Sequence, residues 1–149
     1  MIKTVVFIFL LFLDLLTKLF IQNNVVLNQS IKINAFFDIV YVQNFGVSFG
    51  LFSNFFNYWV LVIIGLIIVF LIFYLFYTSD KNFEKIAYLL IISGAAGNIL
   101  DRALNSYVVD FISLHYNNFY WPAFNLADIY ITIGIIMLLI SFFIKSEDK

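Results

Sequence analysis

From Asn57 to Tyr77 the chain reads NYWVLVIIGLIIVFLIFYLFY, without one charged residue. A helix crossing a hydrocarbon core of roughly 30 Å needs about 20 mostly apolar residues. The Tyr and Trp side chains at both ends stand where the aromatic belts of a membrane belong. Nothing else in the chain narrows the choice of fold so far. Composition agrees: of 149 residues, 64% are hydrophobic and 11% charged, against roughly 45–50% and about 25% in ordinary globular chains. Eight Lys/Arg and nine Asp/Glu are too few to cover the surface of a soluble domain, so the chain has to be an integral membrane protein.

Three further segments meet the same test. IAYLLIISGAAGNILDRAL follows Lys85 and grows small and polar towards its end, and LADIYITIGIIMLLISFFI runs from Leu126 to Ile144. The first apolar run, VVFIFLLFL after Lys3, resembles the start of a secretory signal peptide. It continues through Asp14 and Lys18 to Ile21 with no small-x-small cleavage site, so it is expected to be a retained helix. The expectation is a single all-α membrane domain over 1–149, with four transmembrane helices near 4–22, 57–77, 86–104 and 126–144. Lys3, Lys81, Lys85, Lys145 and Lys149 fall on one face of that topology, and the positive-inside rule puts this face, with both termini, in the cytoplasm. Residues 23–56 and 105–125 then lie outside. Alternation around Ser30–Asn34 and the β-rich FFDIVYVQN suggest a small extracytoplasmic β-sheet on the membrane. The short, aromatic-rich outer loop before the fourth helix is expected to be partly re-entrant.

The same counts exclude several function classes. No basic patch for nucleic acid can be assembled from so few cations. Without cysteine and with one histidine there is no thiol nucleophile and no credible zinc cluster, and neither a metal nor another cofactor is expected. His115, in a loop beside Tyr116, Asn117 and Asn118, is a poor start for a Ser/His/Asp arrangement. NFGVSFG, Asn44 to Gly50, could be a turn, a clamp on substrate backbone or a re-entry hairpin, and it lacks the lysine of a phosphate-binding loop.

Ionisable groups inside spans are costly and mark interior or watery sites. Asp14, Lys18 and Gln22 recur every four residues on one stripe, and Asp14 before Lys18 is the favourable order for an intrahelical pair that could simply neutralise itself. Gly94, Asn98 and Arg102 form a second stripe, with Gly97 and Asp101 beside it. The small residues Ser93 to Gly97 would let a neighbouring helix approach closely. Arg102 could bridge to a carboxylate elsewhere as a rigid fork. Asn125 and Asp128 share a face with Thr132, and a carboxylate in a first helical turn is favoured by the dipole. Asp110, in YVVDFI, has no basic neighbour. Asp110 and Asp128 flank one short outer loop at similar depth. Two carboxylates close together in restricted water share a proton, which supplies a base to activate water and an acid for a leaving amine. On the residues alone, a proton-coupled transporter or small channel using Asp14, Lys18 and Asp128, and a packing subunit of a larger complex, remain open.

Four stretches resemble the prolipoprotein signal peptidase (signal peptidase II) family, in order and over nearly the whole chain: Asp14-Leu-Leu-Thr-Lys18; Asn44-Phe-Gly-Val-Ser-Phe-Gly50; Gly94-Ala-Ala-Gly-Asn-Ile-Leu-Asp-Arg102 running into Val108-Val-Asp-Phe111; and Trp121-Pro-Ala-Phe-Asn-Leu-Ala-Asp128. The resemblance implies a membrane aspartyl endopeptidase of the bacterial inner membrane. It would remove signal peptides from precursor lipoproteins, on the amino-terminal side of a cysteine carrying diacylglycerol. It implies a catalytic dyad of Asp110 and Asp128, with Asn44, Gly46, Asn98, Asp101, Arg102, Asn125, Asp14 and Lys18 as substrate-binding or supporting residues. Membrane lipid and globomycin-like cyclic peptide inhibitors are the other implied partners. The chain departs from the family at Ser93-Gly94, where a glycine pair is usual, and at Ser106-Tyr107, where a glycine often stands.

Overall fold

A computed structural model describes the backbone of residues 1–46 and 57–147, and in the last helix the side chains as far as residue 144. Among the described residues four helices are long and apolar enough to cross a membrane: α1 (Ile2–Asn24), α2 (Tyr58–Thr78), α3 (Asn82–Asn105) and α4 (Leu126–Glu147). Four strands, β1 (Ser30–Lys32), β2 (Phe37–Asn44), β3 (Val108–Tyr116) and β4 (Phe119–Tyr120), form one antiparallel sheet in the order β1-β2-β3-β4. The protein is therefore a multi-pass membrane protein with a small sheet, as the apolar runs require. Val47–Gly50 of the NFGVSFG segment lie outside the described residues.

α1 buries its charged residues and exposes most of its apolar ones, the reverse of a helix in a soluble bundle. In α1 the buried residues are Asp14, Lys18 and Ile21, while Phe9, Phe12, Leu16 and Phe20 are exposed. With lipid outside, apolar packing gives little driving force, and polar groups gather where they can satisfy each other. Close approach makes that possible. A Cβ at Gly94 would run into the Ala127 carbonyl oxygen of α4, and one at Gly134 would stand 2.7 Å from the Ala87 carbonyl oxygen of α3. The small residues of α3 thus serve the packing expected of them. α2 buries only Leu61 and Val62 and starts at Asn57, whose side chain accepts from Trp59 N–H at 3.1 Å.

Two expectations need correction. The segment 105–125 is more than a loop: it supplies β3 and β4 of the sheet. Both faces of β3 are covered around Val108–Phe111, so no polar alternation betrays the strand in the sequence. α3 also begins at Asn82, a turn earlier than hydropathy suggests, because NFEK is polar yet helical. Ser79 and Ser141 both donate to the Glu84 carboxylate at 2.8 Å, fastening that turn to α4.

The sheet rests on the end of α1 through a small core of Ile21, Val25, Tyr41, Val109 and Phe111. Pairing of β2 with β3 sets Val42 opposite Asp110 and Asn44 opposite Val108, with a register shift between Ile39 and Val42. α3 ends at Ser106 in the left-handed region (φ 71°), whose N–H donates to the Arg102 carbonyl at 2.8 Å. An L-residue is disfavoured there, which gives the family's glycine near this position a physical reason.

Candidate active site

Asp110 lies on β3, and Asp128 in the first turn of α4. What joins them is the strap between. Phe111 and Ile112 N–H both donate to the Phe124 carbonyl, at 3.0 and 2.8 Å, and Phe124 N–H returns to the Ile112 carbonyl at 3.0 Å. The chain before α4 thus runs as a partner of β3, and the next residue, Asn125, arrives beside Asp110.

Asn125 is fully buried and works in two directions. Its Nδ2 donates to Asp110 Oδ1 at 2.7 Å, and its Oδ1 accepts from Asp128 N–H at 3.0 Å. Asp128 Oδ2 in turn accepts from Asn125 N–H at 3.2 Å. That is the reciprocal logic of a capping box, and it places Asp128 at the capped start of α4. Its other oxygen, Oδ1, accepts from Asn98 Nδ2 of α3 at 2.9 Å. Asp110 Oδ2 accepts from Asn44 Nδ2 at 2.9 Å. Each carboxylate is therefore held by two donors, and Asn125 serves both.

Burial drives the Asp110 carboxyl up to about 7, and the neighbouring charge of Asp128 pushes the same way against the Asn44 and Asn125 hydrogen bonds. An acid of this kind keeps its proton to near-neutral pH beside a second carboxylate.

The remaining expected residues are all present around this pair. Asn44 Oδ1 accepts from Gly46 N–H at 3.0 Å, while the Gly46 carbonyl accepts a hydrogen bond from Arg102. Arg102 therefore braces the Phe45–Gly46 turn, where a fork to a carboxylate was expected. It remains within the field of Asp110, Asp101 and Asp128, and among the described residues its buried Nε has no partner. Asp14 and Lys18 form the expected pair at 2.9 Å. The pair is not confined to α1, since Lys18 Nζ also reaches Asp101 at 3.6 Å and donates to Asn98 Oδ1 at 2.8 Å. Among the described residues neither Gln22, which donates to Tyr107 Oη at 3.5 Å, nor Thr132 hydrogen-bonds to either aspartate of the pair. His115 stands apart, on Asp38 at 3.2 Å and stacked against Tyr120. Among the described residues no group of three or more His, Cys, Asp or Glu could hold a metal ion.

Beside β3, an apolar groove of about 740 Å³ lies between α1 and the sheet, with Leu13, Leu16, Phe20, Phe37, Ile39 and Phe111 in its walls.

Residues 6–144 match the family described as signal peptidase (SPase) II. The chain is 39% identical over 136 residues to a lipoprotein signal peptidase of Thermodesulfovibrio yellowstonii, covering 91% of this chain and 90% of that one. It is 37% identical over 149 residues to a lipoprotein signal peptidase of Clostridium novyi, covering 99% of both. A solved structure described as a bacterial membrane enzyme is similar with a TM-score of 0.89 at 30% identity, over 99% of this chain and 90% of the other. A second, so described, has a TM-score of 0.81 at 30% identity, over 94% and 91%.

Proposed function

Because the chain belongs to the signal peptidase II family and is similar to lipoprotein signal peptidases, we propose that it cleaves signal peptides from prolipoproteins as an aspartic endopeptidase with Asp110 and Asp128 as the catalytic pair. Peptidase activity in a multi-pass membrane protein follows from the family, and the comparisons lend the transporter alternative no support. The observation that carries the aspartic reading is Asn125, one buried side chain that donates to Asp110 and caps Asp128.

The geometry supports a division of labour. Asp128, at the positive end of α4 and holding two donors, is suited to be the carboxylate; Asp110, raised by burial to about 7, is suited to be the acid. Asp128 takes a proton from water as the hydroxyl oxygen bonds to the scissile carbonyl carbon. Asp110 gives its proton to the carbonyl oxygen, forming a neutral tetrahedral diol. The C–N bond then breaks as Asp128 passes its proton to the departing nitrogen, and Asp110 recovers its own from the diol hydroxyl as the carboxyl product forms. Asn44, Gly46 and Arg102 form a braced turn suited to align substrate backbone beside Asp110. Asn98, Asn125, Asp101, Asp14 and Lys18 support the pair.

The substrate we propose is a precursor carrying a diacylglyceryl cysteine, cut on the amino-terminal side of that cysteine, its acyl chains fitting the apolar groove and the surrounding lipid. The excess of lysines at the opposite end favours cytoplasmic termini and a site at the outer face of a bacterial inner membrane. Globomycin-like cyclic peptides would occupy the dyad. The test is cleavage of such a precursor by purified protein. Asp110→Asn and Asp128→Asn should each lose at least about 10³-fold in kcat while remaining inserted; full cleavage by either variant would remove the aspartic assignment.

A further inference from the structure

The peptide unit in front of each proposed catalytic aspartate is held by a buried carboxylate. Val109 N–H, before Asp110, donates to Asp101 Oδ2 at 2.8 Å. Ala127 N–H, before Asp128, donates to Asp14 Oδ1 at 2.9 Å. Val109 and Ala127 are themselves fully buried, so no water replaces these bonds.

The two carboxylates converge on one cation. Lys18 Nζ lies 2.9 Å from Asp14 Oδ2 and 3.6 Å from Asp101 Oδ2, with all three side chains at most 4% exposed. Gly97 makes the room, since a Cβ there would collide with Asp14 Oδ2. The ammonium also settles which way Asn98 faces. Lys18 Nζ can only donate, and it lies 2.8 Å from Asn98 Oδ1, so the Asn98 amide must turn its Nδ2 towards Asp128. Reversal would set donor against donor on one side and oxygen against carboxylate on the other.

We propose that Asp14, Lys18 and Asp101 are positioning residues that set the separation and orientation of the catalytic aspartates. They do so by tying the backbone before Asp110 and before Asp128 to one ammonium, which also orients the Asn98 donor to Asp128. A self-neutralising pair in α1 would need neither Asp101 nor Asn98, nor the two peptide N–H groups. The inference rests on the catalytic assignment of Asp110 and Asp128.

Its test separates geometry from burial of charge. Lys18→Met alone leaves Asp14 and Asp101 uncompensated and can fail to fold. Asp14→Asn/Lys18→Met removes both charges together and keeps an oxygen for Ala127 N–H, but cuts the link to Asp101 and frees Asn98 to flip. Asp101→Asn offers a single oxygen acceptor where two are used, for Val109 N–H and for Asn105 Nδ2 at 2.6 Å. Each variant is purified in lipid–detergent micelles and assayed on a diacylglyceryl-modified precursor, with kcat expressed per folded molecule. Asp110→Asn and Asp128→Asn are run beside them.

The double variant and Asp101→Asn should lose about 10- to 100-fold in kcat, with KM changed by no more than about threefold. Parental kcat in the folded fraction of either, even where little folded protein survives, overturns the positioning role and leaves a structural one. So does a rise in KM matching the loss of rate. If Asp110→Asn and Asp128→Asn themselves retain activity, the catalytic assignment fails first and is separately identified.

Discussion

Replacing Asn44 with alanine should move the alkaline limb of the rate profile upward by about one pH unit. Asn44 Nδ2 donates to Asp110 Oδ2 at 2.9 Å, a bond that favours the ionised carboxylate and opposes the burial that holds the acid near 7. A hydrogen bond to a charged group is worth about 1.5–3 kcal/mol, and its lower end corresponds to about one pK unit. Removing the donor disfavours the anion, so the proton is held to higher pH. If Asp110 must be protonated for attack, kcat/KM of the parent falls about tenfold per unit above a pH near 7, and that of Asn44→Ala begins its fall near pH 8. The assay is initial-rate cleavage of a diacylglyceryl-modified precursor from pH 5 to about 9.5, where the position of the limb is independent of how much enzyme is active. Asn44→Ala also frees Gly46 N–H, so the absolute rate should drop as well. A limb that stays in place or moves downward refutes the account of Asp110 as the acid.

Gly97→Ala would press a methyl group on Asp14 and should cost about 1–3 kcal/mol, read as a lower melting midpoint together with reduced turnover. Ser106→Gly relieves an L-residue at φ 71° and should gain up to about 1 kcal/mol, a rise of about 2–4 °C with kcat unchanged. Asn125→Ala removes a cap worth about 1 kcal/mol along with the donor to Asp110. Its loss of kcat should far exceed what its melting midpoint suggests. His115→Ala should cleave within about twofold of the parent, because the imidazole pairs with Asp38 away from the site; a large loss would bring it back as a functional residue.

The four helices were legible because an apolar run of membrane length allows few other structures. The pairing of Asp14 with Lys18 was legible from their spacing of four. The part played by Asp101 was not, because nothing in a sequence says that Lys18 of one helix meets the end of another. β3 was missed for a related reason: Val108–Phe111 is buried on both faces, so it lacks the alternation that marks a half-exposed strand. Arg102 was expected on a carboxylate because charge suggests charge, yet it braces a carbonyl in a turn fixed by Asn44. Asp110 and Asp128 were recognisable as isolated acids flanking one loop. Their joining by Asn125 depends on the strap from Phe124 to Ile112, which only the folded chain reveals.

The buried ammonium and its two carboxylates also bear on how the protein enters its membrane. A lone acid or base at mid-bilayer costs about 2.5–3.5 kcal/mol even by lenient insertion scales. α1 carries its acid and base one turn apart, and α3 carries Asp101 next to Arg102, so each can leave the translocation machinery with its intramembrane charges balanced. Only when α1 and α3 meet can Lys18, still 2.9 Å from Asp14, add Asp101 at 3.6 Å as a second partner. Assembly of the catalytic end then becomes the extension of an existing ion pair between helices already inserted, and an α1 that never met α3 would remain apolar enough to stay in the lipid.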